Sequence, residues 1–173
     1  KHHKFDLKKT SHDRYLTMEI ESDKIIQLPQ LPKTIYNANE GIISYIIKSP
    51  GTMYISAKKT GKTDLILLDE HGQIITKYYI AVTHKISEIK ALLKKTFPKA
   101  SRNLHFSSVN DNLVITGKHS SAHTKQKIAA LISKLVKKTN IIDMSSINSD
   151  QANPQINLRI RVVEMNREVK KAL

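Results

Sequence analysis

Cysteine is absent from the 173 residues, and so is tryptophan. Without cysteine the chain can form no disulfide and can hold no zinc or iron–sulfur centre through thiolates, while the redox compartment stays open. Aromatic residues make up only 5% of the chain, and acidic side chains number 15 against 29 Lys and Arg. No run approaches the ~20 apolar residues that a bilayer-spanning helix needs. A starting methionine is missing as well, since the chain opens at Lys1. That suggests an upstream segment already removed, either a cleaved signal peptide or a trimmed end.

What is present supports folded structure. The hydrophobic fraction of 39% is enough for real cores, and the length suits two small domains. The net charge of +14 is uneven: residues 84–146 hold 12 basic and 3 acidic side chains, whereas residues 1–83 carry a net +3 and residues 147–173 a net +2. A local excess of this size fits an acidic partner, whether nucleic acid, anionic lipid or an acidic protein face, or else a solvated basic surface. Lys outnumbers Arg and few aromatics accompany it, which argues for the solvated surface over a nucleic-acid reader.

The pattern divides the chain. Residues 1–13 are polar, rich in His and Lys, and aperiodic; they read as a disordered leader. From residue 14 to 83 the signals are strands and turns: Tyr15 to Ile20, Ile25 to Leu28, Ile35-Tyr36, Ile42 to Ile47, Met53 to Ala57, Leu65 to Leu68 and Ile74 to Val82. Gly41, Gly51, Gly61 and Gly72 punctuate them, a rhythm that predicts a small antiparallel β-sandwich-like domain.

Residues 84–147 read as helix, strand, strand, helix, strand. Ile86, Ile89, Leu93 and Phe97 recur at helical spacing until Pro98. Leu104 with Phe106, and Leu113 to Ile115, are short strands around the turn tripeptide Asn110-Asp111-Asn112. Ser120 or Ser121 caps a second helix with Ile128, Leu131, Ile132, Leu135 and Val136 on its apolar face, and Ile141, Ile142 and Met144 close the unit. Residues 148–154 form a polar linker, and Gln155 to Val163 alternates as a half-buried strand. Asn166 then caps a helix that is cut off at Leu173. The predicted class is therefore α+β.

Chemistry is sparse. His119 and His123 stand four apart, as a zinc pair would, but no third ligand is near and no Glu is adjacent, so two solvated first-turn residues are expected. Gly61-Lys62-Thr63 evokes a phosphate loop but lacks the upstream Gly and the following helix, which leaves a hairpin turn. No nucleophile elbow appears, and carboxylates in the middle module are limited to Glu88, Asp111 and Asp143. No active site, metal or cofactor is expected, and the chain is read as not an enzyme. Gly117-Lys118-His119-Ser120 lacks the second Gly of a nucleic-acid-clamping Gly-x-x-Gly loop.

Three stretches resemble a known family. Gly61-Lys62-Thr63-Asp64-Leu65 with Asp69 and Gly72 resembles the "G-x-T-x-L … D-x-x-G" stretch of the pilus-assembly N-terminal domain. The middle module, with Leu113-Val114-Ile115-Thr116-Gly117, resembles the BON-type, KH-like ring-building unit. Gln155 to Arg167 is similar to the "Q-V-x-L-x-V-R-x-x-E-x-x-R" strand that opens a secretin domain, here truncated over residues 155–173. In order and spacing the chain is similar to the periplasmic N-terminal region of the outer-membrane secretin of Tad (Flp) pili.

The resemblance implies a homo-oligomeric ring below an outer-membrane barrel that this chain lacks, with pilus subunits and inner-membrane assembly proteins as partners. Nucleic acid is not expected among them; a basic KH-like nucleic-acid-binding module is the alternative reading. Candidate interface residues are Gln155, Arg159, Arg161, Glu164 and Arg167 on the last strand, and Lys125, Lys134, Lys137 and Lys138 on the basic face. Glu19, Glu21, Asp23, Asp69 and Glu70 are candidates for a complementary acidic face.

Overall fold

A computed structural model describes residues 12–148. The predicted leader lies almost wholly outside them, as do the linker beyond residue 148, the strand from Gln155 and the five interface candidates on or after it. The described chain is mostly β-sheet with few helices, a mixed α+β fold. It forms two compact units. Among the described residues, the first takes in everything up to Ile86 together with Ser108–Asp111, and the second takes in Ser87–Ser107 and the residues from Asn112 on.

The first unit packs two sheets on one core. Strands β1 (Asp13–Glu19), β7 (Ile74–Thr83), β6 (Gly61–Leu68) and β3 (Thr34–Asn37) form one sheet in that order. Strands β2 (Asp23–Gln27), β5 (Thr52–Ala57) and β4 (Ile43–Lys48) form the other. Alternation along the strands puts one face of each inward. Leu65, Leu67, Tyr78, Ile80 and Val82 of the first sheet meet Met53, Ile55 and Ala57 of the second in a single buried cluster.

Two expectations are corrected here. The sandwich is not wholly antiparallel, because β1 runs parallel to β7, with Tyr15 beside Tyr79. Nor is Gly61-Lys62-Thr63 a hairpin: β5 and β6 lie in different sheets, so Lys58–Thr60 crosses between them, and the amides of Lys58 and Lys59 both donate to the Ile42 carbonyl. Among the predicted turns of this unit, hairpins between paired strands are found at Ser49-Pro50-Gly51 and at Asp69–Gly72.

Helix α1 (Ile86–Thr96) belongs to the second unit from Ser87 on, and it buries Ile89 and Leu93. Pro98 ends that run and occupies the first turn of a short helix, α2 (Pro98–Ser101), where its missing N–H costs nothing. Strands β8 (Leu104–Val109) and β9 (Asn112–His119) pair across the two-residue turn Asn110-Asp111, and Asn110 takes a positive φ of 55°. Ser121 caps α3 (Ala122–Ile132), its hydroxyl accepting from the Thr124 amide at 3.1 Å.

That helix stops at Ile132, short of the apolar pattern; Val136 lies beyond it yet remains buried. A 3₁₀ turn at Lys138–Asn140 leads into β10 (Ile141–Asp143), followed by β11 (Ser146–Ile147). Both pair in parallel with β9, in one shared register. They are one strand line interrupted at Met144-Ser145.

Candidate functional site: motif residues and the basic unit

Each motif residue of the first unit has a local job. Gly61 opens β6 at φ 139°, with the Ile42 side chain packed where a Cβ would stand. Thr63 is buried, donates to Asn37 Oδ1 at 2.6 Å and accepts from the Asn39 amide at 2.9 Å, which fixes the segment after β3 against β6. Leu65 is fully buried in the core. Asp69 Oδ1 accepts from the amides of His71 and Gln73, both at 2.8 Å, and Gly72 supplies the φ of 78° that the turn requires. This arrangement holds a shape and assembles no reacting groups. Asp69→Ala is expected to leave two turn amides without their acceptor and to cost about 1–2 kcal/mol, read by urea unfolding.

The second unit is strongly basic. Over its described residues it carries eleven Lys and Arg against Glu88 and Asp143. Two adjoining clefts share Asn103, Lys118 and Ser120: one of about 390 Å³ that also takes in Arg102 and His105, and one of about 470 Å³ walled by Phe97 and Pro98. No carboxylate lines either, so they can attract an anion, though their cationic side chains are exposed and water-screened.

The interface candidates of this unit are placed unequally. The Lys125 ammonium donates to the Ser145 carbonyl at 2.9 Å, while Lys134, Lys137 and Lys138 are exposed after α3. Among the acidic candidates Asp69 is held by its own turn, Glu21 pairs with Lys85, and Asp23 is exposed.

The histidines depart from expectation. His123 is exposed, but His119 is the last residue of β9 and only 2% exposed. Among the described residues no three potential ligands gather that could hold a metal.

The hydrogen bonds of His119 fix its tautomer. The Ser145 hydroxyl donates its one proton to Asp143 Oδ1, so it accepts at 2.9 Å from His119 Nε2–H. Nδ1 is left as a bare lone pair, buried without a partner. The carboxylate sits on the serine and not on the imidazole, and the serine is itself buried, which is the reverse of an activated nucleophile.

Burial pushes the His119 pKa below 6.5 and nearby Lys125 lowers it further, against an opposing pull from Asp143. A folded pKa below the unfolded one means that the unfolded chain binds the proton first. Stability is therefore whole above pH 6.5 and declines as pH falls from there toward the folded value. Urea midpoints measured from pH 8 to 5 are expected to show this decline, and His119→Asn to flatten it.

Residues 12–83 match the family described as the pilus formation protein N terminal region, of type II and type III secretion. This supports reading the first unit as the N-terminal domain of a pilus-formation or secretion protein. The chain is also similar to the uncharacterized protein y4xJ of Sinorhizobium fredii (strain NBRC 101917 / NGR234): 27% identity over 161 residues, covering 91% of this chain and 36% of the relative. The chain thus spans little more than a third of that relative's length. A pilus or secretion domain points to the cell envelope, and among the described residues no helix is long and apolar enough to cross a membrane.

Proposed function

We propose that this chain is a periplasmic, ring-building segment of an outer-membrane secretin of the Tad/Flp pilus type, with a structural role and no catalysis. The observation that carries this reading is the pilus-formation match over residues 12–83, followed by a second unit with the order helix, strand, strand, helix, strand. That order is the one expected of a KH/BON-like ring module, and the truncated secretin strand suggested by residues 155–167 would follow it. Motif residues that hold turns and core suit a scaffold that repeats around an axis, with heterologous contacts closing into a ring. Pilus subunits would pass through the bore, and inner-membrane assembly proteins would meet the rings from below. Cryo-electron microscopy of the full-length protein is expected to show a hollow cylindrical multimer; a stable full-length monomer would refute the reading.

The alternative, a KH-like nucleic-acid module, draws support from the cationic clefts beside Lys118 and Arg102. Against it, Lys118 and His119 lie within β9 and His119 is buried, so Gly117–Ser120 is not the free loop that clamps a nucleic-acid backbone. Titration of labelled oligonucleotide is expected to give weak binding at low salt that vanishes at physiological salt. Binding that survives physiological salt would favour the alternative.

A further inference from the structure

The strand line of β10 and β11 breaks at Met144-Ser145, and His119 is tied to that break. Its Nε2–H donates to the Ser145 hydroxyl, which in turn donates to Asp143 Oδ1. The same carboxylate oxygen accepts from the Ser145 amide at 2.9 Å, and Lys125 reaches from α3 to the Ser145 carbonyl. Just beyond, the Asn148 amide donates to the carbonyl of His119 itself. The side chain and the backbone of one histidine thus hold the chain from Ser145 to Asn148, β11 included.

Little else secures that segment. Ser145 is buried, but Met144 and Ile147 are 59% and 41% exposed and Asn148 is exposed. The pairing of β11 with β9 is two residues long, Ser146 with Lys118 and Ile147 with His119. Lifting β11 therefore gives up hydrogen bonds and little apolar burial, as in a part that opens without the rest of its unit. The strand it leaves is better anchored: β9 keeps Leu113 and Ile115 buried and pairs with both β8 and β10.

A proton on the His119 ring upsets this cluster. The vacant position is Nδ1, buried and without an acceptor, so the new N–H would be buried unpaired. The charges around the ring mostly repel it. Lys125 faces it from α3, Lys118 precedes it on β9, and Arg102 and His105 line a cleft with it; Asp143 at the end of β10 opposes them. With the segment lifted, Nδ1–H reaches water, and with Ser145 withdrawn Asp143 can pair with the imidazolium directly.

We propose that His119 is a proton-operated latch: in its neutral form it holds Ser145–Asn148 against the end of β9, and on protonation it releases them while β8, β9 and β10 stay paired. Release bares the edge of β9 at Lys118-His119, with backbone groups that an added strand can take. The released imidazole regains its ordinary pKa of 6.5, above the value that burial imposes. The latch is therefore shut above pH 6.5 and opens as the pH falls below it, the open-to-shut ratio rising by up to about tenfold per pH unit. It is independent of the ring reading.

Amide hydrogen exchange of the chain tests the latch, read as protection factors that correct for the pH dependence of the exchange chemistry. Between pH 7.5 and pH 5 the protection of the Asn148 amide is expected to fall several-fold, with the midpoint of the His119 ring titration. The Lys118 amide, bonded to the Asn103 carbonyl on the β8 side, should keep its protection. His119→Gln offers Ser145 an amide N–H that does not titrate, so its Asn148 amide should stay protected at pH 5. Ser145→Ala removes the bridge and should loosen Asn148 already at pH 7.5. An Asn148 amide that keeps its protection at pH 5 in the parent overturns the latch. So does a loss that His119→Gln shares, or Lys118 protection that falls in step, which is the unit unfolding as a whole. Should either variant fail to fold, the two parent amides still decide.

Discussion

Gly117→Ala is expected to unfold the second unit. At φ 114° a side chain is strained before any contact is considered, and the new Cβ would overlap the Asn103 carbonyl oxygen and come within 3.0 Å of Leu104 Cα. Those atoms are backbone at the start of β8, and the same carbonyl accepts from the Lys118 amide at 3.1 Å, so moving it breaks the pairing that lets β9 reach the core. Strain of this kind costs of order 1–3 kcal/mol by itself. With the displaced strand added, about 3 kcal/mol or more is expected, a large part of a small unit's stability. Gly61→Ala is the internal comparison. There φ is also positive, at 139°, but the obstacle is Ile42 Cδ1 at 2.8 Å, the free end of a side chain that can rotate away. Amide spectra through a urea series should show the second unit of Gly117→Ala lost at much lower urea than in the parent, and the first unit of Gly61→Ala lost only slightly earlier than the parent's; a parent-like second unit in Gly117→Ala would show that β8 yields where the geometry says it cannot.

That glycine also shows where the sequence was legible and where it was not. Strand existence was readable from alternation, and Ile74 to Val82 is found as β7 almost to the residue. Thr116-Gly117-Lys118 looks like a break before a helix, and on that pattern His119 belongs to a solvated first turn. The glycine instead permits close approach to Asn103, the strand continues, and His119 is carried inside. Similarly, a Gly-Lys-Thr run is compatible with a hairpin or a sheet crossing, and only the pairing of the next strand decides. The parallel pairing of β1 with β7 joins residues more than sixty positions apart, beyond what any local period records.

The candidate site was legible in the same measure. Thr63 and Asp69 stood out as motif residues, yet their hydrogen-bond partners emerge only in the fold. The exposed row of Ile25, Tyr54 and Ile46 across β2, β5 and β4 was hidden for a further reason. Three apolar residues on three strands look like core until the registers place them together on the outer face.

Leu65→Ala separates the two kinds of apolar residue in the first unit. Leu65 sits in the middle of β6, fully buried, with Tyr78 as its cross-strand neighbour. Truncation there removes buried methyl groups and leaves a void that the rigid strands on either side cannot close, at a cost of about 2–5 kcal/mol. For a unit of this size each kcal/mol is worth roughly 4–8 °C in Tm, so a fall of more than about 10 °C is expected in calorimetry. Ile25→Ala removes a branched aliphatic of similar size that is 63% exposed, and its stability change should stay within about 0.5 kcal/mol. The contrast tests what holds the sandwich: interior residues such as Leu65 carry the fold, and an exposed one such as Ile25 adds little to it. A large Tm loss from Ile25→Ala would mean that this exposed residue helps to hold its own sheet through its cross-strand neighbour Tyr54.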